Sequence, residues 1–259
     1  MARARPLILI PPSEGKAPGG TGPAWAPGSM SFPELDVRRA RVAKAVATAM
    51  SRRDVGDLLG VKGVALAAAR DTNRAVLDAP TMPAIERYTG VLYDELRWST
   101  LPAAHRRHGE RQIVIFSAVW GLVSPTDAIP DYKLKMGARL GRLGILSTWW
   151  RPALTDALGS PPMTWNLLPN EHASAYRGTG DQVVVRFLDD VERAGRRQLI
   201  TVSHWNKQLK GALVRHLLAT GLDDPVGLAA FEHPLGYRYR PDLDVESNGT
   251  VTVSMVARR

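Results

Sequence analysis

Two short, uninterrupted apolar runs constrain the fold of this chain most strongly. Leu7–Ile10 and Ile113–Phe116 contain no polar residue, and the first run ends at Pro11-Pro12. Runs of this length and composition are typical of strands that are buried on both faces of a sheet. Such strands need other elements packed on either side, so we expect helices to flank the sheet.

Helical and strand patterns alternate along the rest of the chain. Residues 17–33 and 117–130 are rich in turn formers and are expected to be irregular. Because no break in composition divides the chain, we predict a single α+β domain over residues 1–259, with a mixed β-sheet flanked by helices. Helices are expected near 34–52, 54–78, 83–97, 139–158 and 205–220, and further strands near 163–168, 182–188, 198–203 and 249–257.

Composition excludes several kinds of site. The chain has no cysteine, which excludes disulfides, thiol catalysis and thiolate metal sites. The histidines are scattered, and His105 and His108 lie among arginines between predicted elements, where we expect them to be exposed. We therefore predict neither a metal site nor a cofactor. The N-terminal apolar run is too short for a signal peptide or a membrane span, so we expect a cytoplasmic protein with no membrane partner.

The charge balance favours a polyanionic partner. The formal net charge is +9 and the isoelectric point is about 10.2. A basic surface attracts polyanions through Coulomb attraction and the release of counterions. A chain rich in arginine and alanine is also typical of a genome of high GC content, so the charge leaves nucleic-acid binding open.

Residues 54–78 have the outline of a helix–hairpin–helix. Two helical stretches meet at a turn that contains Gly60, Lys62 and Gly63. In such hairpins, amide groups at the start of the second helix bind a DNA phosphate, and glycine allows the phosphate to come close. The three turn residues are therefore candidates for DNA binding. The alternative is a helical corner that only packs, and the residues favour neither.

Basic and aromatic residues are interleaved in the segment that follows the second apolar run. Lys133 and Lys135 would share a face if the backbone is extended, and Trp120 and Tyr132 could stack on bases. With Arg139 they form a candidate nucleic-acid groove. The alternative is a structured loop with buried aromatic rings and solvated lysines.

Polar residues also follow the predicted strands. Ser13, Glu14 and Lys16 follow the first strand, in a loop that lacks the spacing of a P-loop. Asn166 lies near the end of a later strand, and Glu171 falls in the first turn of a helix. The alternatives are an ordinary polar loop for the first group and helix capping, with Asn170 as the cap, for the second.

The helix at 205–220 carries two lysines near its start. Lys210 falls inside the apolar arc of this helix and Lys207 at its edge. An ammonium group inside such an arc must reach solvent, pair with an acid or lie near an anion. Simple extension to solvent is as plausible for Lys210 as a functional role.

Taken in order, these segments resemble the YaaA (peroxide stress) family over nearly the whole chain. The resemblance implies a mixed α/β domain with a positively charged cleft, a helix–hairpin–helix at Leu59–Ala69, and DNA binding without marked sequence preference. The residues that carry it are Leu7–Lys16, Tyr88–Gly90, Trp120–Leu122, Pro125, Asp127, Tyr132–Gly137, Asn166–Leu167, Asn170–Glu171, Ser203–Gly211 and Leu228–Tyr237.

Two functions follow as hypotheses. The first is a DNA-binding protein of the oxidative stress response, with phosphate contacts from the hairpin, Lys133, Lys135, Arg139, Lys207 and Lys210. The second is an enzyme that acts on a nucleotide, nucleobase or related small anionic substrate. Its candidate residues are Ser13, Glu14, Lys16, Asn166, Glu171 and Lys210.

Overall fold

A nine-stranded mixed sheet forms the centre of the computed structural model, which describes residues 5–202 and 205–259. Its strand order is β10-β11-β7-β6-β1-β3-β4, with β8 added to β7 and β9 to β11, while β2 and β5 form a separate two-stranded sheet. The strands are β1 (Leu7–Ile10), β2 (Met82–Pro83), β3 (Ile113–Ser117), β4 (Gly121–Val123), β5 (Ala128–Ile129), β6 (Met163–Asn166), β7 (Asp181–Arg193), β8 (Arg196–Thr201), β9 (Arg238–Tyr239), β10 (Val245–Ser247) and β11 (Thr250–Arg258).

Helices pack around this sheet. Within the described residues, no helix has the length and apolarity needed to cross a membrane. The α-helices are α1 (Asp36–Ala49), α2 (Val55–Leu59), α3 (Gly63–Arg74), α4 (Ala84–Arg87), α5 (Val91–Leu96), α6 (Ala103–Gln112), α7 (Leu146–Leu158), α8 (Asn170–Ala173) and α9 (Asn206–Thr220). Single 3-10 turns lie at Pro33–Leu35, Trp98–Thr100, Gly141–Leu143, Pro225–Ala230 and Pro241–Leu243.

The two apolar runs form neighbouring parallel strands at the centre of the sheet. Every residue of β3 is buried, and so are the last three residues of β1, as expected for strands covered on both faces. On its other side β1 pairs in parallel with β6, with Leu9 opposite Asn166. The loops that leave β1 and β6 therefore emerge together, at what we call the carboxyl end of the sheet.

Helices α5 and α9 pack closely because a glycine stands at their contact. A Cβ atom on Gly211 would lie 2.3 Å from the carbonyl oxygen of Leu92, so only glycine fits there. The apolar arc predicted for α9 is buried, including Leu209, Leu213 and Leu217. The sequence therefore placed the buried face of this helix correctly.

The predicted α+β fold with a mixed sheet is confirmed, but several helix boundaries were wrong. The helix expected at 83–97 is interrupted at Tyr88–Gly90, where Gly90 has a φ of 107°. The helix expected from 139 begins at Leu146, because Gly141 and Gly144 have positive φ values and form a turn. Helix α6 was missed altogether.

Two further predictions about local structure and exposure were wrong. Residues 117–130 were expected to be irregular, but they contain β4, which pairs antiparallel with β3, and β5, which pairs with β2. His105 and His108 lie within α6 and are partly buried rather than exposed. The predicted strand at 198–203 ends at Thr201, and Ser203 and His204 lie outside the described residues.

The segment at 17–33 is irregular as predicted, but two buried arginines hold it in place. Arg87 donates hydrogen bonds to the carbonyl oxygens of Ala17 and Gly19, the latter at 2.7 Å. Arg39, which is fully buried, donates to the carbonyl of Ser31 at 2.7 Å. The segment is thus attached to the core through side-chain bonds to its backbone.

Candidate functional site

A small cavity lies at the carboxyl end of the sheet, beyond β1. Its volume is about 60 Å³. The loop after β1, the segment 131–136 and the start of α8 meet there, and we call it the Lys16 cavity. It is lined by Pro12, Ser13, Glu14, Lys16, Lys133, Leu134, Lys135, Glu171 and His172.

The loop after β1 is held against the interruption between α4 and α5. Lys16 forms an isolated bridge with Tyr88, and the amide of Ala17 donates to the carbonyl of Arg87 at 2.8 Å. A Cβ atom on Gly15 would lie 2.9 Å from Thr89 Oγ1, so this close approach requires glycine. The Tyr-Thr-Gly segment therefore positions Lys16, a role that sequence reasoning had not assigned to it.

Lys16 lies among aromatic rings rather than carboxylates. Its Nζ donates to the carbonyl of Ser13 at 3.1 Å and lies 4.1 Å from the ring centroid of Tyr132 and 5.6 Å from that of Tyr88. Burial lowers the pKa of Lys16 from 10.5 to about 8, although Asp131 acts in the opposite direction. The amine therefore gives up its proton far more readily than an exposed lysine does.

The phenols beneath Lys16 form a buried hydrogen-bond network. Tyr132 Oη lies 2.9 Å from both Tyr88 Oη and Ser117 Oγ, and Ser117 Oγ accepts from the amide of Trp120 at 3.0 Å. Burial raises the pKa of Tyr132 to about 12, so this phenol stays neutral at ordinary pH. The network therefore holds the two rings that lie next to the Lys16 ammonium group.

The predicted stacking of Trp120 and Tyr132 on bases is wrong. Trp120 is 0% exposed and Tyr132 is 2% exposed. Trp120 lies in the turn between β3 and β4 with its ring centroid 5.4 Å from that of Trp25, and the hydroxyl of Tyr132 bonds to Tyr88 and Ser117 in the core. Both rings therefore pack against other residues of the protein, and neither presents an exposed face for a base to stack on.

Lys133 and Lys135 point away from the core on the same side of their segment. Tyr132, Leu134 and Met136 alternate with them and are buried. Both ammonium groups flank one carboxylate, with Nζ–Oε distances to Glu14 of 3.4 Å for Lys133 and 3.6 Å for Lys135. Burial opposes the effect, but the two lysines lower the pKa of Glu14 below its ordinary value.

Asn73 ties α3 to the basic segment. Its side-chain Nδ2 donates to the carbonyl of Lys133, and its Oδ1 accepts from the amide of Lys133, each at 2.8 Å. On the other side, Lys135 Nζ lies 3.6 Å from the position that a Cβ on Gly60 would occupy. The turn between α2 and α3 and the mouth of the cavity are thus one continuous surface.

That turn is open to solvent. Gly60 and Gly63 have left-handed φ values of 65° and 57°, and both are exposed together with Lys62. No side chain caps the start of α3, and its first turn contains no acidic residue. The amide groups there are accordingly accessible to an anion.

Glu171 and His172 close the cavity from α8. Glu171 Oε1 accepts a hydrogen bond from the amide of Gly137 at 2.6 Å. Burial lowers the pKa of His172 to about 4, so its imidazole is neutral at ordinary pH. Asn170 was predicted to cap this helix, but Pro169 occupies the cap position and Asn170 lies inside the first turn.

Asn166 and Lys210 lie at the same end of the sheet but are not among the residues that line the cavity. Asn166 Oδ1 accepts from the amide of Leu168 at 3.1 Å, which fixes the turn after β6. Lys210 Nζ donates to the carbonyl of Leu167 at 2.8 Å, and burial lowers its pKa to about 8. Lys207 is exposed.

A larger basic groove lies along α1. It has a volume of about 400 Å³ and is flanked by the exposed cations Arg41, Lys44 and Arg142. Residues Arg52 and Gly141 also line a neighbouring cavity that includes Arg139. This second cavity is bounded by α2 itself, and it is lined by the acidic residues Asp54 and Asp57 as well as by Arg52 and Arg139.

Comparison with known proteins identifies the relatives of this chain. A profile of the family described as peroxide stress protein YaaA matches residues 7–243. The chain is 36% identical over 239 residues to a UPF0246 protein of Streptomyces coelicolor, covering 89% of this chain and 90% of the relative. It is 39% identical over 225 residues to a UPF0246 protein of Corynebacterium efficiens, covering 83% and 85% of the two chains.

Proposed function

We propose that this chain, which belongs to the peroxide stress protein YaaA family, binds DNA through its phosphate backbone without strong sequence preference. The α2–α3 hairpin and the lysines at the mouth of the Lys16 cavity form the proposed DNA surface. The observation that carries the proposal is the closeness of Lys135 Nζ to Gly60, 3.6 Å from the position of a Cβ there, since it brings two candidate phosphate-binding features onto one surface.

Each part of this surface supplies a different contact. The exposed amides at the start of α3 would hold one phosphate, because the helix dipole and the glycine backbone favour a close negative charge. Lys62, Lys133 and Lys135 add mobile cations on either side of that point. None of these groups can distinguish bases, so binding should be insensitive to sequence.

The groove along α1 supports a longer track for DNA. Arg41, Lys44 and Arg142 line it, and no acidic residue is among its lining residues. A duplex held at the hairpin would reach this groove past α2, where Arg52 and Arg139 line the surface together with Asp54 and Asp57. Several phosphates would then be neutralised together, which gives a steep dependence of affinity on salt.

Anisotropy titrations of a labelled duplex at several salt concentrations test the proposal. For Lys62→Glu and Lys135→Glu we expect weaker binding and a salt slope reduced by about one for each lost phosphate contact. Arg107→Glu is the charge-matched control, because Arg107 is exposed on α6, which enters the sheet at the amino-terminal end of β3. A salt slope near zero for the unaltered chain, or equal losses in the control, would reject the proposal.

A glycine pair tests the hairpin itself. Gly63 and Gly236 both have positive φ, and a Cβ on either would meet open space. Gly63→Ala and Gly236→Ala should therefore cost similar stability, about 1 kcal/mol. We expect only Gly63→Ala to weaken DNA binding, and equal affinities for the two variants would favour a hairpin that only packs.

Catalysis on a small anionic substrate is a second candidate function. The observation that favours it is the meeting of Ser13, Glu14, Lys16 and Glu171 around one cavity. Ligand binding stabilises the folded state by mass action, so nucleoside monophosphates that place their phosphate at the mouth of the cavity, beside Lys133 and Lys135, should raise the melting temperature. No rise with any nucleotide, or the same rise in Lys133→Ala, would count against this function.

A further inference from the structure

We infer that Lys16 is a nucleophilic amine that forms an imine with an aldehyde entering the Lys16 cavity. The aldehyde source that we favour is the open-chain sugar of an abasic site in DNA. This choice of source rests on the proposed DNA binding. The reactivity of Lys16 toward an aldehyde does not.

The first argument is that Lys16 has no ion pair to break. Among the described residues, its only hydrogen bond is to the carbonyl of Ser13. Its Nζ lies near the rings of Tyr132 and Tyr88, and the carboxylates of Asp131 and Glu14 act on it without a direct ion pair. Lys133 and Lys135 differ, since each flanks the Glu14 carboxylate. Lys16 can therefore lose its proton without leaving a carboxylate unpaired.

The second argument is that a useful fraction of this amine is neutral. The pKa of Lys16 is lowered to about 8 by burial. At pH 7 about a tenth of the amine is then unprotonated, against less than about a thousandth for an ordinary lysine. Only the neutral amine attacks a carbonyl carbon.

The third argument is the size of the cavity. Its volume of about 60 Å³ corresponds to roughly two water molecules. A terminal aldehyde, with one carbon and one oxygen, fits this space, but a sugar ring or a nucleobase does not. The open form of an abasic sugar presents such a group at the end of a short carbon chain, and Lys133 and Lys135 at the mouth can hold its phosphates.

The chemistry needs no external oxidant or reductant. The neutral Nζ of Lys16 attacks the aldehyde carbon, and the carbonyl electron pair moves to oxygen. Glu14, which is held ionised by Lys133 and Lys135, can accept the proton that leaves nitrogen. Protonation of the hydroxyl group then expels one water as the C=N bond forms, so amine and aldehyde give imine and water.

Lys210 provides a control for the role of the cavity. Its pKa is also lowered to about 8 by burial, but its Nζ donates to Leu167 and it is not among the residues that line the cavity. If acidity alone decided reactivity, Lys210 would react as readily as Lys16. If access to the cavity determines which amine reacts, the adduct forms at Lys16.

The experiment traps the imine with cyanoborohydride on the full-length chain and locates it by peptide mapping. One arm uses glyoxylate, a free aldehyde, and the other uses a duplex with a single abasic site. In both arms we expect the adduct at Lys16, with at least a tenfold excess over Lys210, and loss of that adduct in Lys16→Arg. Mapping of the unaltered chain requires no variant to fold.

The two arms separate the possible failures. An adduct spread over the exposed lysines, or concentrated at Lys210, overturns the inference. An adduct at Lys16 with glyoxylate but none with the duplex overturns the DNA source and supports the reactive amine. Binding of the intact duplex is measured in parallel, so loss of DNA binding is distinguished from loss of reactivity.

Discussion

The side-chain amide of Asn73 pairs with both backbone polar groups of Lys133, at 2.8 Å each. Asn73 is fully buried near the end of α3, and Lys133 lies sixty residues further along the chain. An amide can serve a carbonyl and an N–H group at once, because it carries a donor and an acceptor on one rigid plane. This pair fixes the hairpin helix against the lysines at the mouth of the cavity.

We expect Asn73→Asp to destabilise the protein by about 1–3 kcal/mol, because a carboxylate would face the carbonyl of Lys133 without a proton to donate. Asn73→Ala should cost a similar amount, since it leaves the buried carbonyl and amide unpaired. Urea denaturation measures both, with Asn170→Ala as the control because Asn170 is exposed. Equal stability of all three variants would contradict the proposed link.

Replacing Glu14 by glutamine should strengthen the binding of DNA. The carboxylate lies between the ammonium groups of Lys133 and Lys135 and competes with a phosphate for both. Its removal frees two cations, so the salt slope should steepen by about one and affinity should rise several-fold. Anisotropy titration measures both quantities. A weaker complex would show that Glu14 orients the lysines for DNA rather than competing with it.

The buried amine of Lys16 should make stability depend on pH. Its folded pKa of about 8 lies below the ordinary 10.5, so the unfolded chain binds more protons between these values. The free energy of unfolding should therefore rise with pH across this window. Each pKa unit corresponds to about 1.4 kcal/mol, which limits the rise from Lys16 to about 3 kcal/mol, and solvent in the cavity reduces it further.

Lys16→Met isolates this contribution from that of Lys210, which has a similar pKa. The difference in stability between the variant and the parent should be largest near pH 7 and should shrink as the pH rises toward 10. Chemical denaturation at a series of pH values follows it. A difference that does not change with pH would mean that Lys16 keeps its ordinary pKa in the folded protein.

Tyr132→Phe should lower stability without changing DNA affinity. The variant removes the hydroxyl that bonds to Tyr88 and Ser117 and leaves those buried groups short of a partner, at a cost of about 1–3 kcal/mol. Because the ring of Tyr132 is buried, it cannot stack on a base, and its hydroxyl should not affect DNA binding. Thermal unfolding and anisotropy titration on the same sample separate the two effects, and a large loss of affinity in folded protein would contradict burial of the ring.

The features predicted correctly from sequence are those with a local cause. The apolar runs predicted β1 and β3, and the apolar arc predicted the buried face of α9. The glycines at 60 and 63 indicated where α2 and α3 separate. In each case the neighbouring residues themselves favour the conformation, so no knowledge of distant contacts is needed.

The features that were missed depend on contacts between distant segments. Nothing near Asn73 indicates that its partner is Lys133, and nothing near Tyr132 indicates that its hydroxyl will bond to Tyr88 and Ser117 in the core. In the sequence, Tyr88 was noted only as one of the residues that carry the family resemblance. In the structure its ring centroid lies 5.6 Å from Lys16 Nζ. The sequence could suggest the candidate residues, but only the fold shows which of them line the cavity, which are buried beneath it and which lie on the surface.

The attachment of residues 17–33 by Arg39 and Arg87 has a consequence for handling the protein. A stretch so rich in glycine and proline would ordinarily be cut first by a protease, because it has no regular structure. Here the backbone carbonyls of Ala17, Gly19 and Ser31 are held by guanidinium groups in the core. Limited digestion of the native protein should leave this stretch intact, and shortening it to aid crystallisation should instead yield aggregated material.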